Sequence, residues 1–323
     1  MKILFYLYAI LFFSHLSFSN YLDRDDVQDF IDFMHVEHGF SKEFVSKTLS
    51  QANKQQNIID LMNNPSEKVT SWDEYKKRVS ITRVQNGIRF IKAYKKWFIK
   101  AEEEFGVPRE VIAAIIGLET NYGGYKGNTR VIDALTTAAF DYPRRRNFFK
   151  TQLEEFFLLT REENFDPLII KGSYAGAMGF AQFMPDNYRR LAVDFDGDGK
   201  KDILSNPADA IGSVANFLSS TKGNKHGWER SGFIAVEADP KKRNKSIKSS
   251  FKLRSYKDLD IKAKENLDFN DKYIQISLFP NDDSKDEFWL GDKNLYAITR
   301  YNPSSKYAMT VFLLSEQIAK IGN

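Results

Sequence analysis

Apolar residues recur at spacings of three and four along most of the chain, a rhythm that predicts a mainly helical protein. From Asp25 to about Leu61, DDVQDFIDFMHVEHGF followed by SKEFVSKTLSQANKQQNIIDLM predicts two amphipathic helices. After the polar break NNPSEKVTSWDEYKKR the spacing returns from Val84 to about Phe105, predicting another helix that Gly106 and Pro108 punctuate. Pro108 suits the first turn of the helix after it, REVIAAIIGLET. That run is apolar nearly all round, so it is expected at the centre of the fold. Further helical patterns occupy 131–139, 147–162, 181–190 and 208–220.

The period changes after about residue 229. FIAVEAD, YIQISLF and FWLGDKNLYAITRYN are short alternating or β-branched runs, set among Gly, Asn, Asp and a Lys-rich stretch. They predict a small β-containing subdomain over 230–297. SKYAMTVFLLSEQIAKI restores helical spacing, so 298–323 is expected to pack back on the helical body. At the other end, MKILFYLYAILFFSHLSFSN has one Lys, an apolar stretch from Ile3 to Phe13 and a Ser-containing flank, the layout of a secretory signal peptide over 1–20. The stretch is interrupted by Ser14 and His15 and falls short of the roughly 20 apolar residues a span needs. An uncleaved anchor is the alternative. The remaining expected segments are an N-terminal helical segment at 21–71 and a helical core at 72–229.

With 42% hydrophobic and 14% aromatic residues, including 27 Phe, the chain has far more buriable surface than disordered chains carry. The absence of Cys excludes disulfides, thiolate zinc sites, a cysteine nucleophile and a lipid anchor on cysteine. Only His15, His35, His38 and His226 offer imidazoles, too few for a His-rich transition-metal centre. Chemistry is therefore expected to run on carboxylates. The 47 basic and 43 acidic residues give +4, spread along the chain, which does not point to nucleic acid.

Three constellations stand out. Glu119 ends the apolar helix in AAIIGLETNYGGYKG. A carboxyl among such residues is expected to be desolvated and to hold its proton near neutral pH, as a general acid must. A Glu that merely bonds the Gly-rich turn is the other reading. GSYAGAMGFAQFMP at 172–185 combines small residues with Gln182, Met178, Phe180 and Phe183, fitting either one wall of a cleft or close helix packing. DFDGDG places Asp194, Asp196 and Asp198 at positions 1, 3 and 5 and Gly199 at position 6 of an EF-hand type loop, with the Lys200 carbonyl at position 7. Position 12, normally Glu, is Ser205. The loop holds Ca²⁺ or is an acidic Asx-turn without metal.

ETNYGGYKG, FDYPRRRNFF, SYAGAMGFAQFMP, DFDGDGKKDI, DAIGSVANFL and ITRYNPSSKYAM, in this order, resemble the membrane-bound lytic murein transglycosylase B family of Gram-negative bacteria. The resemblance runs from about residue 72 to 320. It implies a lysozyme-like helical core, with additional N-terminal helices and the β-containing subdomain. It also implies a periplasmic enzyme that cleaves the β-1,4 bond between N-acetylmuramic acid and N-acetylglucosamine without water, giving 1,6-anhydromuramoyl ends. Glu119 is then the single acid/base. Carried over by motif, Tyr75, Arg144, Arg145, Ser173, Gln182, Phe183, Tyr301, Asn302 and Tyr307 line the glycan groove. Aromatic faces would stack on sugars, amides bond acetamido or hydroxyl groups, and Arg meet lactyl or peptide carboxylates. Arg144 to Arg146 also fit a solvated basic turn, and Tyr301 and Tyr307 also fit the core of the β-containing segment. In the family a later Asp closes the calcium loop, and Asp209 fits that place. No cofactor is implied for catalysis, and Ca²⁺ would be structural. Glycan strands are the expected partner, nucleic acid is not, and a monomer is expected. The rival functions are a muramidase that hydrolyses the same bond and a non-catalytic peptidoglycan-binding scaffold.

Overall fold

The computed structural model describes residues 21–64, 70–219, 227–230, 232–242, 247–267, 271–281 and 285–322. The expected signal peptide over 1–20 and His226 lie outside them. The chain divides into two compact units, Met1–Lys54 and Gln55–Asn323. In the first, α1 (Asp25–His38) and α2 (Lys42–Ser50) pack through Val27, Phe30, Ile31, Met34, Val45 and Leu49. Gly39 closes α1 in the left-handed region, and Ser41 caps α2 by accepting from the Phe44 amide.

The second unit is mainly helical. Its helices are α3 (Gln56–Asn63), α4 (Trp72–Lys76), α5 (Ile81–Ala93), α6 (Lys95–Phe105), α7 (Arg109–Thr120), α8 (Val131–Asp141) and α9 (Arg146–Glu162). They are followed by α10 (Pro185–Leu191), α11 (Pro207–Ser219), α12 (Lys293–Tyr301) and α13 (Ser305–Gly322). As its sequence predicts, α7 is central: Val111 through Gly117 are buried, and α5, α6, α11 and α13 pack around it. Each fully buried Ile or Val there contributes roughly 1.5–3 kcal/mol. The two-stranded ribbon β1 (Thr129–Arg130) and β2 (Lys171–Gly172) braces the segment after α7.

Between α11 and α12 lies an antiparallel sheet of β3 (Ala235–Pro240), β4 (Ser250–Ser255), β5 (Ile261–Ala263), β6 (Lys272–Leu278) and β7 (Glu287–Gly291), in the order β4-β6-β7-β3-β5. It has its own small core of Ala238, Ile247, Tyr256, Leu259, Ile261, Tyr273 and Leu290. Strand β6 is buried from Tyr273 to Leu278, with Gln275 and Ser277 among the buried residues, and also packs against α12 and α13. Among the described residues no helix is long and apolar enough to cross a membrane.

Four local expectations are corrected. The second predicted N-terminal helix is two, α2 and α3, because the polar run from Gln51 to Gln55 has little to bury and the Gln55 amide bonds Thr137 Oγ1 at 3.1 Å instead. The helix expected from Val84 to Phe105 starts at Ile81 and breaks at Tyr94, where Phe90 packs on both Tyr94 and Phe98. The break lets α5 face α7 and α13 while α6 faces α11. The helix expected from 181 starts only at Pro185, since Phe183 pairs its backbone with Met178 and Gln182 has φ 47°. KNLYAITRY, assigned to the β-containing segment, is α12, capped by Asp292 accepting from the Asn294 and Leu295 amides.

Candidate active site

Glu119 sits half-buried in the last turn of α7. The helix stops there because Asn121 and Tyr122 adopt left-handed backbone at φ 49° and 61°, with the Asn121 and Tyr122 amides returning to Gly117 and Ile116. Gly117 leaves room for the Tyr122 ring, which a Cβ there would meet at 2.5 Å, and the Tyr122 hydroxyl donates to the Arg83 carbonyl at 2.9 Å. Thr120, the residue after Glu119, donates to the Phe180 carbonyl at 3.2 Å and accepts from Gly123. These bonds fix the end of α7 against the loop 172–185.

That loop is folded tightly on itself. Ser173 Oγ accepts from the Ala175 and Ala177 amides, and Gln182 Nε2 donates to the Gly179 and Lys126 carbonyls. Gly127, at φ 90°, passes so close to the Gly172 carbonyl that a Cβ would lie 2.0 Å from its oxygen. The small residues seen in the sequence therefore serve backbone-to-backbone contact in a non-helical loop.

The third side of the site comes from α12 and α13. Tyr307, in the first turn of α13, donates its hydroxyl to Glu119 Oε1 at 2.7 Å. Tyr301 lies parallel to Tyr307, centroids 6.4 Å apart, and donates to the Ala181 carbonyl. Burial, then the charge of Glu119, pushes both phenols well above their ordinary range, so they stay O–H donors. The charge that acts on Tyr301 is that of Glu119. Phe183 and Phe217 pack against Tyr301, with Phe217 at 4.6 Å.

The nine expected groove residues thus fall into three sets. Tyr75, Phe183 and Tyr307 are only 2–3% exposed, so they act as wall and support rather than open platforms. Ser173, Gln182, Tyr301 and Asn302 are half-buried. Arg144 and Arg145 stand exposed on a short 3-10 turn, with the Arg145 guanidinium over the Phe148 ring at 4.1 Å. Sequence reading missed Phe217, whose apolar helical spacing in α11 gave no hint of the Tyr301 contact. It also missed Arg78 and Lys306, which lie over the Tyr75 ring at 4.0 and 5.9 Å.

In the acidic loop, carboxylate oxygens of Asp194, Asp196 and Asp209 gather within 4.8 Å of one another. Asp194 accepts from the Gly197, Asp198 and Gly199 amides, which bends the loop around it. Asp209, fully buried at the start of α11, accepts from the Phe195 and Asp202 amides. Burial first, and then the charges of Asp196 and Asp194, push its carboxyl upward. Three convergent carboxylate oxygens fit a Ca²⁺ site. Asp198 lies outside this group of three and accepts from the Lys200 amide.

A family model described as the transglycosylase SLT domain matches residues 23–316. The chain is 38% identical over 313 residues to the membrane-bound lytic murein transglycosylase B of Escherichia coli (strain K12), spanning 93% of this chain and 84% of that protein. The solved structure of the Escherichia coli lytic transglycosylase SLT35 in complex with bulgecin A is similar at a TM-score of 0.84 and 37% identity, covering 94% of this chain and 95% of that one. The same enzyme in complex with calcium matches at a TM-score of 0.83, with the same identity and coverage.

Proposed function

Because the chain belongs to the transglycosylase SLT domain family and is a lytic murein transglycosylase, we propose that Glu119 alone serves it as acid and base, cutting the bond between N-acetylmuramic acid and N-acetylglucosamine without water. The observation that carries this reading is the Tyr307–Glu119 hydrogen bond at the end of a buried helix, beside two buried phenols that remain protonated.

In this mechanism protonated Glu119 gives its proton to the glycosidic oxygen as the bond to C1 breaks. The resulting carboxylate takes the proton of the muramoyl C6 hydroxyl, and O6 forms the new bond to C1. The product is a 1,6-anhydromuramoyl end, and Glu119 is protonated again for the next turn. The sugar supplies the nucleophile, so the second carboxylate of ordinary glycosidases has no task. Tyr307 holds the Glu119 carboxylate in place and stabilises its charged form by donating a hydrogen bond. Ser173, Gln182, Tyr301 and Asn302 meet the glycan on the open side, while Arg144 and Arg145 meet carboxylates farther out.

Asp194, Asp196 and Asp209, with the Asp198 side chain and the Lys200 carbonyl, would hold a structural Ca²⁺. Such an ion would lock the loop to the start of α11. We place the enzyme in the periplasm, exported by residues 1–20, and acting as a monomer on glycan strands. Mass analysis of muropeptides released from purified murein tests the reading. Products lighter by one water than hydrolysed muropeptides are expected, whereas hydrated ends would make the enzyme a muramidase.

A further inference from the structure

Between Tyr75 and Ala101 the chain carries nine Lys or Arg residues and no Asp or Glu. Some of these cations serve the fold. Lys76 pairs with Glu287 at 2.8 Å, Lys100 donates to the Phe195 carbonyl at 2.7 Å, and Arg83 is half-buried. Arg89, Lys92, Lys95 and Lys96 instead stand exposed on α5 and the start of α6. Among the described residues none of these four forms a salt bridge.

A cleft of about 250 Å³ opens beside them, between α5, the start of α7 and the end of α13. Ile88, Ile91 and Ile318 give it an apolar lining, and Lys92, Lys95, Arg109 and Glu110 its charges. Arg109 already pairs with Glu102, which leaves Lys92 and Lys95 to meet a ligand. Burial pushes the Glu110 carboxyl up, and the charges of Glu102 and Glu316 add to that, so it opposes an anion less than an ordinary carboxylate would. Apolar side chains continue outside the cleft. Ile81, two turns before Ile88 on the same side of α5, is 59% exposed, and Ile321 at the end of α13 is 48% exposed.

Charge complementarity calls for an anionic occupant, and the interleaved isoleucines call for an aliphatic one. Glycan strands supply carboxylates but no aliphatic phase. An anionic bilayer presents both: acidic headgroups for the cations, and acyl chains below them for the isoleucines, with lysine stems spanning the boundary. We propose that the face formed by α5, the start of α6 and the end of α13 docks on an anionic lipid bilayer. The enzyme then lies on the membrane through this face, whatever becomes of residues 1–20. The proposal does not depend on the chemistry assigned to Glu119.

The test is co-sedimentation of the full chain with vesicles of phosphatidylcholine alone and of equimolar phosphatidylcholine and phosphatidylglycerol. Residues 1–20 are common to every variant, so the ratio of binding on anionic to neutral vesicles isolates the face. One cation near an anionic surface strengthens binding about fivefold. Combined Lys92→Gln, Lys95→Gln and Lys96→Gln should therefore lower the ratio by about tenfold or more, the three Lys→Arg changes should keep it, and molar salt should abolish it. Ile81→Ser with Ile321→Ser should weaken binding to the anionic vesicles several-fold. Melting temperature and muropeptide release from soluble glycan strands should stay at the wild-type level in all of these variants. An unchanged ratio in the Lys→Gln variant would overturn the proposal. So would polyglutamate that binds as tightly as the vesicles, which would make the face a site for any polyanion, or an equal loss of binding to murein sacculi, which would assign it to the substrate.

Discussion

Glu119 and Tyr307 are 188 residues apart in sequence and 2.7 Å apart in space. A hydrogen bond from a phenol to a carboxylate is worth roughly 1.5–3 kcal/mol when the acceptor is charged. Tyr307→Phe removes that bond but keeps the ring that stacks on Tyr301, so kcat is expected to drop by about 10-fold or more, with the melting temperature nearly unchanged. Steady-state kinetics beside thermal melts check this, and a fall in stability without loss of kcat would assign Tyr307 to the core instead. Tyr301→Phe acts differently, because its hydroxyl holds the Ala181 carbonyl rather than Glu119. It should loosen the 172–185 loop and raise KM more than it lowers kcat. At this scale the sequence made Glu119 legible, since a lone carboxyl ending an apolar helix needs an explanation. It could not show that Phe183 and Tyr75 are buried supports, because an aromatic side chain reads the same whether its face meets a sugar or another ring.

At the scale of elements, the start of α12 carries a strained charge. Burial pushes the Asp292 carboxyl up to about 7, against the Asn294 and Leu295 amides that favour its charged form. Between its ordinary range and pH 7 the folded chain holds a proton there that the unfolded chain has released. The stabilisation from this group is therefore complete below about pH 4 and is lost as pH rises through about 7, on the order of a few kcal/mol. Asp292→Asn keeps an oxygen for the cap and should melt higher than the wild type above pH 7, with a flatter profile between pH 5 and 8. A lower melting temperature at pH 8 would contradict the assignment. The calcium loop gives a second expectation at this scale. Millimolar Ca²⁺ should raise the melting temperature of the wild type by several degrees, by mass action on the folded state, but not that of Asp196→Asn. Element types were largely readable from period and punctuation, as α7 with its Pro and Gly boundaries shows. Its misreadings have physical causes: the break at Tyr94 comes from α5 and α6 facing different partners, and α12 was hidden because KNLYAITRY also alternates like a strand.

Across the whole molecule, the Glu119 group, the 172–185 loop, the acidic loop and the sheet all fall within Gln55–Asn323, one of the two compact units. A chain beginning at Gln55 is therefore expected to melt cooperatively and to retain cleavage of murein within a few-fold, as turbidity clearing and calorimetry would show. Loss of both would mean that the first unit is needed for folding. What no reading of periodicity could supply is the convergence itself: α7, α13 and the loop meet through contacts separated by 60 to 188 residues. The motif resemblance supplied that convergence as an expectation. The central claim is that Glu119 drives attack by the sugar's own hydroxyl and not by water. Digestion of murein in water enriched in oxygen-18, with Glu119→Gln alongside, tests it most directly. The account predicts anhydro ends free of the label from the wild type and no release from the variant, while labelled reducing ends, or cleavage that survives Glu119→Gln, would contradict it.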